Sequence, residues 1–154
     1  MHTDIQGDNM AIEAIAVDFD GTCVTQEFPE VGKDIGAVPV LKEFVEKGHK
    51  IILYTMRSHP DKNNQGKTLS GEIVANDTLQ DAIDWFKKNG IPLWGINENP
   101  KQKEWTSSPK IYANIYIDDA ALGTPLKYDE DVTLSRPYVE WNRVRSLLKI
   151  KGVL

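Results

Sequence analysis

Sulfur is scarce in this chain. Its 154 residues include one cysteine, Cys23, so no intrachain disulfide can form, and a reducing compartment fits best. Long apolar runs are missing too. None approaches the roughly 18 residues that would suggest a membrane-spanning helix. The opening stretch, MHTDIQGDNM, has no apolar centre of the kind a secretory signal needs. These absences predict a cytoplasmic protein with no membrane partner. An excess of positive charge is lacking as well: 18 Lys and Arg stand against 23 Asp and Glu, a formal net charge of -5. Nucleic-acid binders usually present a basic face, and this balance gives no support for one. No repeat of 20 to 50 residues is visible, which sets aside solenoids and propellers.

What is there suits one ordinary domain. Hydrophobic residues make up 40% of the chain and charged residues 27%, enough for a sizeable core under a solvated surface. Residues 1–12 read as a polar lead and residues 13–154 as a single domain. Within it, Glu13 to Val17 reads as a short buried strand. A loop rich in Gly and Pro follows. Pro39 is placed to open a helix at its first position, where no amide donor is needed, and Gly48 is placed to end it. Lys50 to Tyr54 reads as a second strand, giving a β-α-β unit with parallel strands. The polar stretch from Arg57 to Asn76 is long for a connection inside a compact domain and reads either as a lid or as a disordered segment. A helix built on Leu79, Ala82, Ile83 and Phe86 follows, capped by Asp77 or Thr78. Short strands are expected within Ile91–Ile96 and Asn114–Ile117, and a small one at Val132–Leu134. Pro137 is then placed to open a last helix with Trp141, Val144, Leu147 and Leu148 facing the core.

Strands that alternate with helices predict an α/β fold with a doubly wound, mainly parallel sheet. Ligands of such sheets bind beyond the carboxyl ends of the strands, near a reversal of strand order. Asp18 stands where the first strand runs out. Thr55 follows the second strand, and Asp118 with Asp119 follows a later one. These residues are therefore predicted to meet at one edge. Clustered carboxylates are costly unless a cation offsets them, and oxygen donors suit a hard ion such as Mg²⁺. Thr55 offers a hydroxyl and a backbone amide to a phosphate oxygen, and Lys110 offers a point charge. Lys101, Lys103 and Lys127 compete for that duty. A metal-shielded Asp18 can attack phosphorus in line, and Asp20 can serve as acid and then base.

In this order, DFDGT at Asp18 to Thr22, a hydrophobic strand ending in Thr55, Lys110, and YIDD at Tyr116 to Asp119 resemble the four motifs of the haloacid dehalogenase superfamily. The resemblance spans about residues 13–120. It implies a Rossmann-like core, Asp18 as nucleophile and Asp20 as general acid/base. It also implies Mg²⁺ held by the Asp18 side chain, the Asp20 carbonyl oxygen and Asp118, with Asp119 as a further ligand or just behind one. Thr55 and Lys110 would hold the phosphoryl group. The 32 residues between Thr22 and Thr55 leave no room for a folded cap. A small capless member with an Asn97–Pro100 NENP stretch is similar to a bacterial and phage subgroup.

The resemblance thus predicts a Mg²⁺-dependent phosphatase acting on a small phosphorylated substrate, with a phosphorylated macromolecule and a homo-oligomer left open. Two other readings use the same residues: a phosphate- or Mg²⁺-binding module without turnover, and a phosphoacceptor domain. The latter would place its acid pair before the acceptor strand. Arg57 reads either as a substrate contact or as a solvated loop residue. Cys23 reads as a small packing residue. His2, His49 and His59 lack metal-ligand spacing and read as solvated or helix-end residues. Trp85, Trp94 and Trp141 read as packing residues. Trp105, in a polar stretch, is the tryptophan able to line a pocket.

Overall fold

In a computed structural model of the chain, the structure describes residues 11–60, 68–74, 76–129 and 136–154. The element order is β1 (Ala14–Val17), α1 (Ala37–Glu46), β2 (Lys50–Leu53), α2 (Thr78–Lys88), β3 (Gly95–Ile96), a 3₁₀ turn (Gln102–Glu104), β4 (Ile115–Ile117), β5 (Leu126–Lys127), β6 (Tyr138–Val139) and α3 (Trp141–Ile150). β1 to β4 form one parallel sheet in the order β3-β2-β1-β4, and β5 pairs with β6 antiparallel. The expected α/β class with a parallel sheet is observed.

Strand order reverses beside β1. The steps from β1 to β2 and from β2 to β3 run the same way, so right-handed crossovers put α1 and α2 on one face. Side chains of both helices and of α3 share one core cluster with Ile15 and Val17 of β1, Ile51 and Leu53 of β2, and Ile117 of β4. The step back to β4 takes the other face, where Ala14, Ile52 and Ile111 form a small second cluster with Trp94 against it. Among the described residues, that face is covered by the connection through residues 97–114 and its 3₁₀ turn rather than by an α-helix. Two isolated bridges, Asp20 with Val24 and Val24 with Asp34, fold the β1–α1 connection into a compact loop. No cap domain stands there.

α1 begins at Ala37, two residues before Pro39. The third helical position also lacks an intrahelical acceptor, so proline is tolerated there for the reason given for the first. Gly48, at φ 90°, ends the helix: its N–H donates to Val45, and the His49 N–H donates to Phe44. Asp77 caps α2 by accepting from the Gln80 N–H. Pro137 does not open a helix. It leads into β6, and α3 starts at Trp141 behind a Glu140 cap. An extended residue after proline suits an edge hairpin as well as a helix start, and pairing with β5 decided it. Leu147 is 48% exposed, so the last helix buries Trp141, Val144 and Leu148 without it. The strand expected at Val132–Leu134 lies outside the described residues, as does much of the stretch from Arg57 to Asn76: residues 61–67 and 75.

His49 is neither solvated nor a simple helix-end residue. It is 4% exposed. Its Nδ1 accepts from the Glu13 N–H at 3.0 Å, and its Nε2 pairs with the Val153 carbonyl at 2.8 Å. The neutral ring with Nε2 protonated satisfies both bonds, so one imidazole ties the entry of β1 to the chain after α3. His49→Ala would orphan two backbone groups and leave a cavity. We expect it to cost about 2–4 kcal/mol, read by denaturant unfolding at neutral pH. A loss below about 0.5 kcal/mol would mean that water replaces the ring.

Candidate active site

β1 ends by alternation. Val17 packs into the helical face, Asp18 turns to the opposite side, and Phe19 returns to the core at 0% exposure. Phe19 meets Trp85 and Phe86 with ring centres 5.6 and 6.2 Å apart. Burial of such a ring is worth about 3–5 kcal/mol against alanine, so it anchors the backbone that carries the two acids. The sheet ladder continues one step past the strands: the Asp18 N–H donates to Ile117 at 3.0 Å and the Tyr54 N–H to Val17 at 2.9 Å. Asp18 therefore lies in register between Tyr54 and Asp118. This is the point where strand order reverses.

Asp18, Asp118 and Asp119 converge. Each offers a carboxylate oxygen within 4.8 Å of the others. Thr22, fully buried, stands behind them. Its hydroxyl accepts from the Asp119 N–H at 3.0 Å. Its one proton is shared between Asp18 Oδ2 at 3.0 Å and Asp119 Oδ1 at 3.3 Å. The Gln26 amide donates to the Asp20 carbonyl and to Asp119 Oδ2, each at 3.1 Å. Gly21 adopts φ 79°, and a Cβ there would come within 2.5 Å of Asp119 Oδ2. Only glycine meets both demands. Thr22 and Gln26 are site residues that sequence reading passed over. Thr22 lay inside the DFDGT motif and was the legible one, whereas Gln26 carried no signal.

Among the described residues, no Lys or Arg forms an ion pair with Asp18, Asp118 or Asp119. Burial, and then the Asp118 charge, push the Asp18 carboxyl up from 3.8 to about 8. Burial raises Asp118 as well. Its Oδ1 accepts from the Ala120 N–H at 2.8 Å, which pulls the other way. The donor set is all oxygen and carries up to three negative charges, which fits a hard divalent cation.

The Asp20 carboxylate is not part of that cluster. Its carboxylate is held by Arg57 through two bonds, Nε to Oδ2 at 2.8 Å and Nη2 to Oδ1 at 2.7 Å. Arg57 is 3% exposed. Its remaining N–H groups donate to the carbonyls of Glu30 at 2.8 Å, Thr78 at 3.1 Å and Pro29 at 3.4 Å. The guanidinium lies 5.0 Å from the Phe19 ring centre and 5.2 Å from that of Phe28. All five donors are taken. Arg57 is thus neither solvated nor, in this arrangement, free to meet a phosphoryl group.

Thr55 stands two residues past β2, with its amide already used. The Thr55 N–H donates to Asn97 Oδ1 at 2.8 Å, so the expected backbone donor is committed. Thr55 Oγ1 accepts from the Arg57 N–H at 3.1 Å and keeps its own proton for another acceptor. Asn97 can reach because it turns at φ 52° directly after β3. The NENP stretch is thereby a structural tie to the second strand. Lys110 is exposed, with its ammonium 5.9 Å from the ring centre of Tyr116. Tyr116 is in register with Ala16, so it shares the sheet face of Asp18. Lys127 instead lies over Tyr138 in the β5–β6 hairpin. Trp105 is 62% exposed and packs edge-on against Tyr112. Cys23 is fully buried, a packing residue as expected. A cavity of about 280 Å³ between β4 and α3, bordered by Leu122, Leu147 and Lys151, is lined mainly by apolar side chains and by none of the acids.

A solved structure of a conserved protein from Bacteroides thetaiotaomicron is similar to this chain. The two share 26% identity and a TM-score of 0.64 over 91% of this chain and 92% of the other. The likeness supports the α/β architecture across nearly the whole chain. No family model matches the chain, and no curated protein does. No helix among the described residues is long and apolar enough to cross a membrane.

The Asp18 shift has a consequence for stability. Below pH 3.8 this group is protonated in the folded and unfolded chain alike. As pH rises, the unfolded chain releases the proton first, while the folded chain keeps it until about 8, so folding is progressively disfavoured across that window. Asp18→Asn removes this cost. In EDTA the variant should match the wild type near pH 4 and exceed it increasingly toward pH 8. The gap grows by at most about 1.4 kcal/mol per pH unit, read by urea unfolding. A gap independent of pH would contradict the burial of this charge.

Proposed function

We propose that this chain is a Mg²⁺-dependent phosphatase of the haloacid dehalogenase type, hydrolysing a small phosphate monoester in the cytoplasm. The observation that carries the reading is the convergence of Asp18, Asp118 and Asp119 at the strand-order reversal, with no Lys or Arg among the described residues paired to them. The motif order from DFDGT to YIDD, which resembles that superfamily, supports it independently.

Asp18, the Asp20 carbonyl and Asp118 would hold the ion, with Asp119 kept beside them by Thr22 and Gln26. Bound Mg²⁺ would lower the cost of bringing an anionic phosphoryl group to an acidic edge. Asp18 Oδ attacks phosphorus while the bond to the leaving oxygen breaks, and that oxygen takes a proton from Asp20. The product is an aspartyl phosphate and a free alcohol. Water then attacks phosphorus and gives a proton back to Asp20. Inorganic phosphate leaves and the Asp18 carboxylate returns. The Thr55 hydroxyl proton and the Lys110 ammonium are the groups assigned to the phosphoryl oxygens, while Arg57 is withdrawn from that duty.

Hydrolysis of 4-nitrophenyl phosphate tests the reading. Turnover should require Mg²⁺, stop in EDTA, and fall roughly 10³-fold or more in Asp18→Asn. Thermal unfolding at pH 8 supplies a second readout: Mg²⁺ should raise Tm in the wild type and much less in Asp18→Asn. Hydrolysis that persists in both EDTA and the variant would sink the mechanism.

A further inference from the structure

We infer that Arg57 is the positioning residue for the proton-transferring carboxylate: it fixes Asp20 toward the leaving oxygen of the substrate and does not bind the phosphoryl group. The inference rests on the phosphatase reading above. Three observations carry it. The contact is two-pronged and short, at 2.7 and 2.8 Å, with side-chain exposure of 1% for Arg57 and 15% for Asp20. A guanidinium fork fixes the plane of a carboxylate as well as its place, which a point charge cannot do. The fork is itself held on every donor. Its other donors reach the carbonyls of Pro29, Glu30 and Thr78, and its faces lie against Phe19 and Phe28. Arg57 also sits two residues after Thr55, whose hydroxyl accepts the Arg57 N–H. The group assigned to the phosphoryl oxygen and the group that aims Asp20 therefore hang on one short segment.

Each oxygen of Asp20 gives one lone-pair direction to Arg57 and keeps another outward. The fork thus selects which edge of the carboxylate faces the site. Proton transfer depends steeply on that orientation. Without the fork, Asp20 would remain close by but would turn freely.

A leaving-group series separates this role from a merely structural one. Ester cleavage needs the proton most when the departing alcohol is poor and hardly at all when it is a dinitrophenol. With Mg²⁺ saturating, Arg57→Lys should lower kcat/KM, which reports ester cleavage without the later water step, about 100-fold or more for an alkyl phosphate. The loss for 2,4-dinitrophenyl phosphate should be under about 10-fold. Inhibition by inorganic phosphate should stay unchanged. In the Asp20→Asn background, Arg57→Lys should cost the alkyl ester nothing further. If Arg57→Lys yields little folded protein, Asp20→Glu, which moves the carboxylate off the fork by one methylene, should show the same leaving-group selectivity. An equal loss for every leaving group would overturn the inference and leave the phosphatase reading intact. Weakened phosphate inhibition would overturn it by making Arg57 a phosphoryl ligand. A wild type that turns over neither ester would remove the phosphatase reading and this inference with it.

Discussion

The parallel pairing of β1 with β4 governs most of what this molecule can do. Three residues of each strand are in register, and the ladder runs one step further through the Asp18 N–H to the Ile117 carbonyl. That step fixes where Asp18 sits relative to Asp118. Burial, and then the Asp118 charge, raise Asp18, and burial raises Asp118; folding tolerates this because Phe19, Val17 and Ile117 bury their side chains on the opposite face. The apolar layer beneath and the electrostatic tension above are two sides of one backbone. A slip of one residue in this pairing would exchange them.

Support for the edge comes from far along the chain. The Trp141 indole N–H donates to the Thr22 carbonyl at 2.7 Å, and the Val139 N–H donates to the Gly21 carbonyl at 3.0 Å. β6 and the first residue of α3 therefore brace the turn that follows the first strand. α3 is braced in turn against α1 by a two-pronged Arg145–Glu43 pair, each bond 2.9 Å. That pair is partly exposed and adds little energy by itself. Its geometric effect is to keep the Trp141 end of α3 in line with the turn. Thr22 links the two halves: its carbonyl faces Trp141 and its hydroxyl faces the acids.

Sequence patterning exposed those parts of the molecule that depend on period and punctuation. Apolar runs ending in polar residues gave β1, β2 and β4 to within a residue or so, and with them the meeting of Asp18 and Asp118. Asp77 and Gly48 marked helix ends by cap chemistry that is local in sequence. What escaped depends on partners distant in the chain. His49 looks like any helix-end histidine until Glu13 and Val153 close on it. Arg57 looks like a loop cation because the carbonyls it satisfies belong to residues 29, 30 and 78. Pro137 is compatible with a helix start or a strand, and only the presence of β5 decides. Leu147 fits the helical period, yet no neighbour among the described residues covers it, and it stays 48% exposed. The Thr55 amide is lost to Asn97 through a left-handed turn that composition does not reveal.

The two faces of the sheet are covered by different kinds of structure. Three helices, tied into one cluster, cover the first. The second rests on an irregular connection with one short 3₁₀ turn, alongside Tyr54, Tyr112 and Tyr116, each exposed by 40% or more. Irregular segments accept insertions and deletions far more readily than packed helices. The strand ends that bear the acids are anchored from the helical side by Phe19, Ile117 and Trp141, and from the other by the Tyr116 hydroxyl, which donates to the Ile111 carbonyl at 2.6 Å. Between Asn97 and Lys110 that connection can therefore change in length, and so alter what is admitted, while the carboxylates stay in place.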